Sequence, residues 1–434
     1  MEFVVASGGY PLIECSTCSE KKCEVGKGFL LVRGSLLKQI HKNVRYSSSL
    51  KILDQEVLQG ELEAERSFKY SDIAVRLAPP HLLQPKPNVS DLRFGKYFTD
   101  HMFKVYYHEA LGGWQTPEIT PLENLVFHPA AKVLHYAIEA FEGMKAYRGI
   151  DGKIRLFRPE LNMARMNASA RRMGLPGFSS IEFIKCCTRL IGIDQEWVPH
   201  SEASSLYIRP TIVGIDPTLG VSSSESALLY VILCPVGSYF AGEKRTEGVS
   251  LLADPRYTRA WPGGCGDRKV GSNYAPTIRV QKEAAEKGLQ QVLWLYGEDH
   301  QVTEVGTMNI FMFHINEDGE KQLVTPPLDG LILPGITRSS ILELARDINE
   351  FKITERTITM EEVCRLVAEN RLLELFGAGT ACVVSPISYI EYMGQGLHIP
   401  TCDQPEPLYK KFLKTLLDIQ YGYVPGHPWT WEID

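Results

Sequence analysis

The loop Gly264–Thr277 reads GCGDRKVGSNYAPT and sets Lys269 among glycines, with Asn273 and Tyr274 close behind. Gly, Asp, Ser and Asn bend a chain sharply, and a lysine among them can simply reach into water. A lysine held on a shaped, partly desolvated loop can instead lose its proton near neutral pH and attack a carbonyl. The loop alone leaves both readings open.

Three further stretches bear on the choice. In LDGLILPGITRSSILELARD, Leu328–Asp347, a Pro-Gly turn precedes a helix expected to begin at about Ile336. First-turn amides lack internal partners and the helix dipole favours an anion there, so Ile336 and Thr337 could offer N–H groups and one hydroxyl to a phosphate. The alternative is an ordinary helix start. In QVTEVGTMNIFMFHI, Glu304 stands in an apolar, strand-like run where an unpaired carboxylate is costly. Either a salt bridge to an Arg or Lys, or a protonated pyridine nitrogen, would satisfy it. In LFGAGTACVVSPI, Gly377, Ala378, Gly379 and Ala381 let backbone approach a ligand closely, and Thr380 adds a hydroxyl. The alternative is a glycine-containing turn between a helix and a strand. Nucleophilic amine, phosphate site, carboxylate for a ring nitrogen and anion-binding turn jointly describe pyridoxal 5′-phosphate bound as a Schiff base.

These groups need a frame. YFTDHMFKVYYH, KIRLFRP, SSLYIRPTIVGI and ALLYVILCPVGSYF read as strands bounded by Gly or Pro turns, and Pro159–Met173 as a helix with proline in its first turn. PTIRVQKEAAEKG and ITRSSILELARDIN read as helices, and QVLWLYG, VTEVGTMNIFMFHI and KQLVTPP as strands. The expected fold is α/β in the mixed α+β sense: two mixed domains with the active site at their junction. The expected boundaries are an N-terminal extension over 1–67, a small domain over 68–236, a linker over 237–248 and a large cofactor-binding domain over 249–434.

With 434 residues, 44% hydrophobic and 23% charged, the chain has the composition of a globular protein. Its net charge of −6 argues against a nucleic-acid surface, and its longest apolar run is too short to span a bilayer as a helix. Cys15, Cys18 and Cys23 suggest zinc, but no second ligand pair follows, so no metal is expected. Val25–Leu53 carries six Lys or Arg and no acid, the pattern of a mitochondrial transit segment, with RYSSS as a cleavage site after Tyr46. Glu2, Glu14, Glu20 and Glu24 precede it, and a basic surface helix is the alternative.

FEGMKAY, RLFRPELNMARM, QVLWLYGEDHQVTEVGTMNIF and TPPLDGLILPGITR resemble the branched-chain-amino-acid aminotransferases, in particular the animal mitochondrial form, from about Phe68 to near the C-terminus. The resemblance implies a fold-type IV pyridoxal-phosphate enzyme that works as a homodimer in the mitochondrial matrix, with a cytoplasmic location as the alternative. It implies transfer of the amino group of leucine, isoleucine or valine to 2-oxoglutarate. It makes Lys269 the Schiff-base lysine, Glu304 the ring-nitrogen partner and Tyr274 the partner of the phenolic oxygen. Arg165, the amides of Ile336 and Thr337, and the Thr380 hydroxyl would hold the phosphate, while Arg171 and Arg172 would be surface charges.

The same resemblance makes Phe141, Tyr207 and Tyr239 the walls for the aliphatic side chain, and puts Thr307, Thr380 and Ala381 near the α-carboxylate. Tyr136 and Arg209 would meet the distal carboxylate of glutamate, and Leu219 and Val221 would reach the neighbouring subunit's site. Two departures stand out. Cys382-Val-Val-Ser385 replaces the CxxC that animal relatives often carry, and Arg268 and Ser272 flank the lysine unexpectedly. Rival readings are a D-amino-acid aminotransferase, an aminodeoxychorismate lyase, or a catalytically silent homologue acting as an interaction partner.

Overall fold

Runs rich in Val, Ile, Leu, Phe and Tyr form strands because branched and aromatic side chains pack well on a pleated surface. The computed structural model describes residues 66–237 and 248–433 and gathers these strands into two sheets. The expected transit segment, Cys15, Cys18, Cys23 and Tyr239 lie outside the described residues.

The first sheet has ten strands. Its centre is Ser205–Gly214 paired with Ser226–Val236, flanked by His101–His108 on one side and Met144–Arg148 on the other. Glu139–Phe141 pairs with Ser205–Gly214, which carries Tyr207 and Arg209. The C-terminal strand Thr430–Ile433 returns to this sheet, antiparallel to Ile154–Phe157. Two helices cover one core. Ser180–Ile193 is capped by Ser179, whose hydroxyl accepts from the Glu182 amide. Pro159–Arg172 begins with proline, which lacks an N–H that the first turn would leave unpaired. It is buried from Leu161 to Ala170, Asn162 and Arg165 included, so its polar groups must find partners inside.

The second sheet has nine strands and mixes parallel with antiparallel pairs. Gln301–Val305 pairs with both Gln291–Tyr296 and Met308–Ile315, which closes the order into a ring through Val249–Ala253, Val383–Tyr392 and Leu372–Gly379. Helix Ile336–Ile348 packs against Leu372–Gly379. The fully buried rings of Phe311 and Phe376 stack at 5.3 Å and hold that strand to its neighbour. One expectation is corrected here. Gly377–Gly379 belong to a strand, and the turn at Thr380–Cys382 joins two antiparallel strands, not a helix and a strand.

Candidate active site

The lysine loop is fixed by close packing. The Asn273 amide donates to the carbonyls of Cys265 and Arg268, drawing the loop around Lys269. The Lys269 amide donates to the Ser169 hydroxyl at 2.9 Å, and its carbonyl accepts from Phe141 N–H at 3.1 Å. Glycine serves approach here. A Cβ on Gly266 would lie 2.4 Å from Ala260 Cβ, and one on Gly271 would lie 1.7 Å from a Glu139 carboxylate oxygen. Lys269 Nζ donates to the Tyr274 hydroxyl at 3.4 Å and lies over the Phe141 ring, 5.1 Å from its centre. Of the two unexpected neighbours, Arg268 bonds Asp267 at 2.8 Å and Ser272 lies in the 3-10 turn Gly271–Asn273.

These side chains open on a cavity of about 340 Å³. One end suits an anion. Helix Ile336–Ile348 has Gly335 as its N-cap and no side chain capping it, so the first-turn amides of Ile336 and Thr337 are left for a ligand. Gly335 is required by space, since a Cβ there would meet Asn309 Oδ1 at 1.8 Å. Arg165 lines the same end, and Glu142 sets its orientation. Arg165 Nε and Nη2 reach the two carboxylate oxygens of Glu142 at 2.6 and 2.9 Å, and Nη1 donates to the Pro334 carbonyl at 3.1 Å. Burial pushes the Glu142 carboxyl up, but Arg165, Lys269 and Asn162 outweigh it and hold the group below its ordinary range. Thr380 completes this end; Arg172, exposed on the same helix as Arg165, bonds Gly263 and Gly264 instead.

Glu304 is buried beside the cavity. Burial raises its pKa, and Arg259, the Leu333 amide, Lys269 and Arg165 offset part of that rise. One oxygen accepts from Leu333 N–H at 2.9 Å and the other faces Arg259 Nη2 at 3.0 Å. The salt bridge weighed from sequence is therefore present. Asn309 Nδ2 also reaches the first oxygen, at 3.5 Å, and Glu304 itself is not among the residues that line the cavity, although its partners Asn309 and Leu333 are.

At the other end Phe141, Tyr207 and Arg209 form an apolar wall that carries a charge. The Arg209 guanidinium lies over Phe141 and Tyr207, 4.9 and 5.2 Å from the ring centres, and donates to the Tyr207 hydroxyl at 3.0 Å. Thr307, from the turn between Gln301–Val305 and Met308–Ile315, and Ala381 complete the lining. The cavity thus sets an amine between an anion-binding end and an aromatic wall.

Tyr136, Leu219 and Val221 do not line this cavity. They are exposed, and the Tyr136 hydroxyl donates to the Leu219 carbonyl. Tyr136 therefore belongs with the Leu219–Val221 loop and not, within one chain, with Arg209. Sequence reasoning missed Glu142, Arg259 and Asn309, whose roles arise from pairings distant along the chain. It also missed Phe94, which lines the cavity with its ring edge-on to Tyr207 at 4.8 Å.

Comparison with known proteins agrees with this geometry. Residues 139–390 match the family "Amino-transferase class IV". The cytosolic branched-chain-amino-acid aminotransferase of Mus musculus is 54% identical over 86% of this chain and 96% of its own length. The mitochondrial form of Rattus norvegicus is 52% identical over 84% of this chain and 91% of its own. Among solved structures, a branched-chain aminotransferase from Thermoproteus uzoniensis with norvaline superposes with a TM-score of 0.61 at 25% identity, covering 73% of this chain and 97% of that one. The fold is therefore that of fold-type IV enzymes, and the chain belongs to the class IV amino-transferases and, within them, to the branched-chain-amino-acid aminotransferases.

Proposed function

We propose that the chain moves the amino group of leucine, isoleucine or valine to 2-oxoglutarate, giving branched 2-oxo acids and glutamate. The observation that carries this reading is the amine of Lys269, 3.4 Å from the Tyr274 hydroxyl, between an anion-binding end and an aromatic wall. The cofactor is pyridoxal 5′-phosphate, as membership of class IV implies; when bound it supplies an aldehyde for the amino group and a ring that takes up negative charge.

Arg165, the amides of Ile336 and Thr337, and the Thr380 hydroxyl would hold the phosphate. Glu304 would face the ring nitrogen, Tyr274 the phenolic oxygen and the Lys269 amine the aldehyde. Lys269 Nζ would take the proton from the substrate's α-carbon as general base and give it back as acid. Thr307, Thr380 and Ala381 meet the α-carboxylate. Phe141, Tyr207 and Tyr239 bury the branched methyl groups, worth about 0.8 kcal/mol per buried CH₂. Arg209 stacks on the Phe141 and Tyr207 rings, and its Nε is buried without a hydrogen-bond partner, so the same wall would accept the distal carboxylate of glutamate.

A homodimer completes the site in this reading. Tyr136, Leu219 and Val221 form one exposed group and close the pocket of the neighbouring copy. Relatives include both cytosolic and mitochondrial forms, and the basic segment Val25–Leu53 favours mitochondrial import for this chain. A coupled assay tests the activity: leucine with 2-oxoglutarate should yield glutamate and D-alanine should not. Turnover of D-alanine alone would transfer the chain to a different class IV activity.

A further inference from the structure

Lys145 stands on Met144–Arg148 in the first sheet, yet its ammonium donates to the Ala381 carbonyl, in the second sheet's turn, at 2.7 Å. The turn it reaches is unusual. Val383, which follows it, has φ +64°, a left-handed conformation that strains a β-branched residue. Such a residue stays strained only where its surroundings hold it. Lys145 also borders a small recess with Thr337, Thr380 and Val383, so its charge lies beside the anion-binding end and not in solvent.

We propose that Lys145 is a positioning residue: reaching across from the first sheet, it holds the strained Thr380–Val383 turn in the conformation in which Thr380 and Ala381 meet a bound anion. Fixing the Ala381 carbonyl fixes the whole planar Ala381–Cys382 peptide and, with it, the direction of the groups on either side. The inference rests on the site reading above. It differs from simple packing in what it couples, since Lys145 and the strain at Val383 oppose each other.

The experiment compares the full-length holoenzyme with Lys145→Met, Val383→Gly and the double variant. Steady-state kinetics are combined with hydrogen exchange of the peptide spanning residues 376–386, measured with and without cofactor. Lys145→Met should raise exchange in that peptide and raise KM for leucine about tenfold or more, with kcat changing far less, because a misplaced contact of this size costs up to about a hundredfold. In the Val383→Gly background the same substitution should cost several-fold less, because glycine accepts φ +64° without strain. If Lys145→Met does not accumulate as folded protein, Lys145→Gln keeps a donor for the carbonyl and should show an intermediate KM. Unchanged exchange, unchanged KM, or an equal loss in both Val383 backgrounds overturns the proposal. Should the parent fail to turn over leucine, the proposed function falls instead, and exchange without cofactor still decides whether Lys145 holds the turn.

Discussion

Glu142→Gln is the perturbation whose cost follows most directly from the structure. Glu142 is 0% exposed and Arg165 5%, so neither charge can turn to water when its partner is removed. Glu142 accepts from Arg165 Nε and Nη2, from the Asn162 side-chain amide at 2.9 Å and from the Gly143 N–H at 3.0 Å. Glutamine keeps the shape but replaces one acceptor oxygen with an NH₂ that faces donors, and it leaves the guanidinium uncompensated. Breaking one side of a buried ion pair costs about 3–5 kcal/mol. Urea unfolding of parent and variant, each without cofactor, measures the gap. The folded-state pKa of Glu142 is depressed, so its contribution is present above the unfolded value of about 4.3 and is lost as pH falls through the folded value. The gap should therefore narrow in acid. A gap below about 1 kcal/mol at neutral pH would refute the reasoning, as would one that stays constant into acid.

Gly335→Ala should weaken cofactor binding about tenfold, read by fluorescence titration, because the new methyl collides with Asn309 and shifts the first-turn amides. Glu304→Gln should retain cofactor but lose turnover by at least about a hundredfold, since the uncharged amide no longer stabilises a protonated ring nitrogen; a stopped-flow half-reaction with leucine checks it. Mild peroxide should not inactivate the enzyme through a disulfide between positions 382 and 385, because Ser385 offers no thiol; mass mapping of Cys382 tests this, and reversible loss traced to that cysteine pairing elsewhere would count against it.

What the sequence disclosed was local. The helix start at Ile336 was readable because Pro-Gly and the apolar spacing behind it mark a boundary, and Ile336–Ile348 is where the helix lies. Glu304 announced itself by polarity in an apolar strand, which says that a partner exists but not which one. Arg259 arrives from 45 residues away in sequence, on the loop that follows Val249–Ala253. The same holds for Glu142 with Arg165 and for Lys145 with Ala381, where each residue alone reads as an ordinary charge. The resemblance supplied Phe141, Tyr207 and Arg209, which the fold sets around one cavity. It paired Tyr136 with Arg209, but within this chain Arg209 lines the cavity while Tyr136 is exposed beside Leu219, a separation that sequence order does not disclose.

The central claim is that Lys269 alone binds the cofactor's aldehyde through its amine. Borohydride reduction of the purified holoenzyme, followed by peptide mass mapping, tests it most directly. A pyridoxyl mass is expected on the peptide carrying Lys269, and none after Lys269→Ala. A pyridoxyl group on another lysine, or on no residue at all, would contradict it.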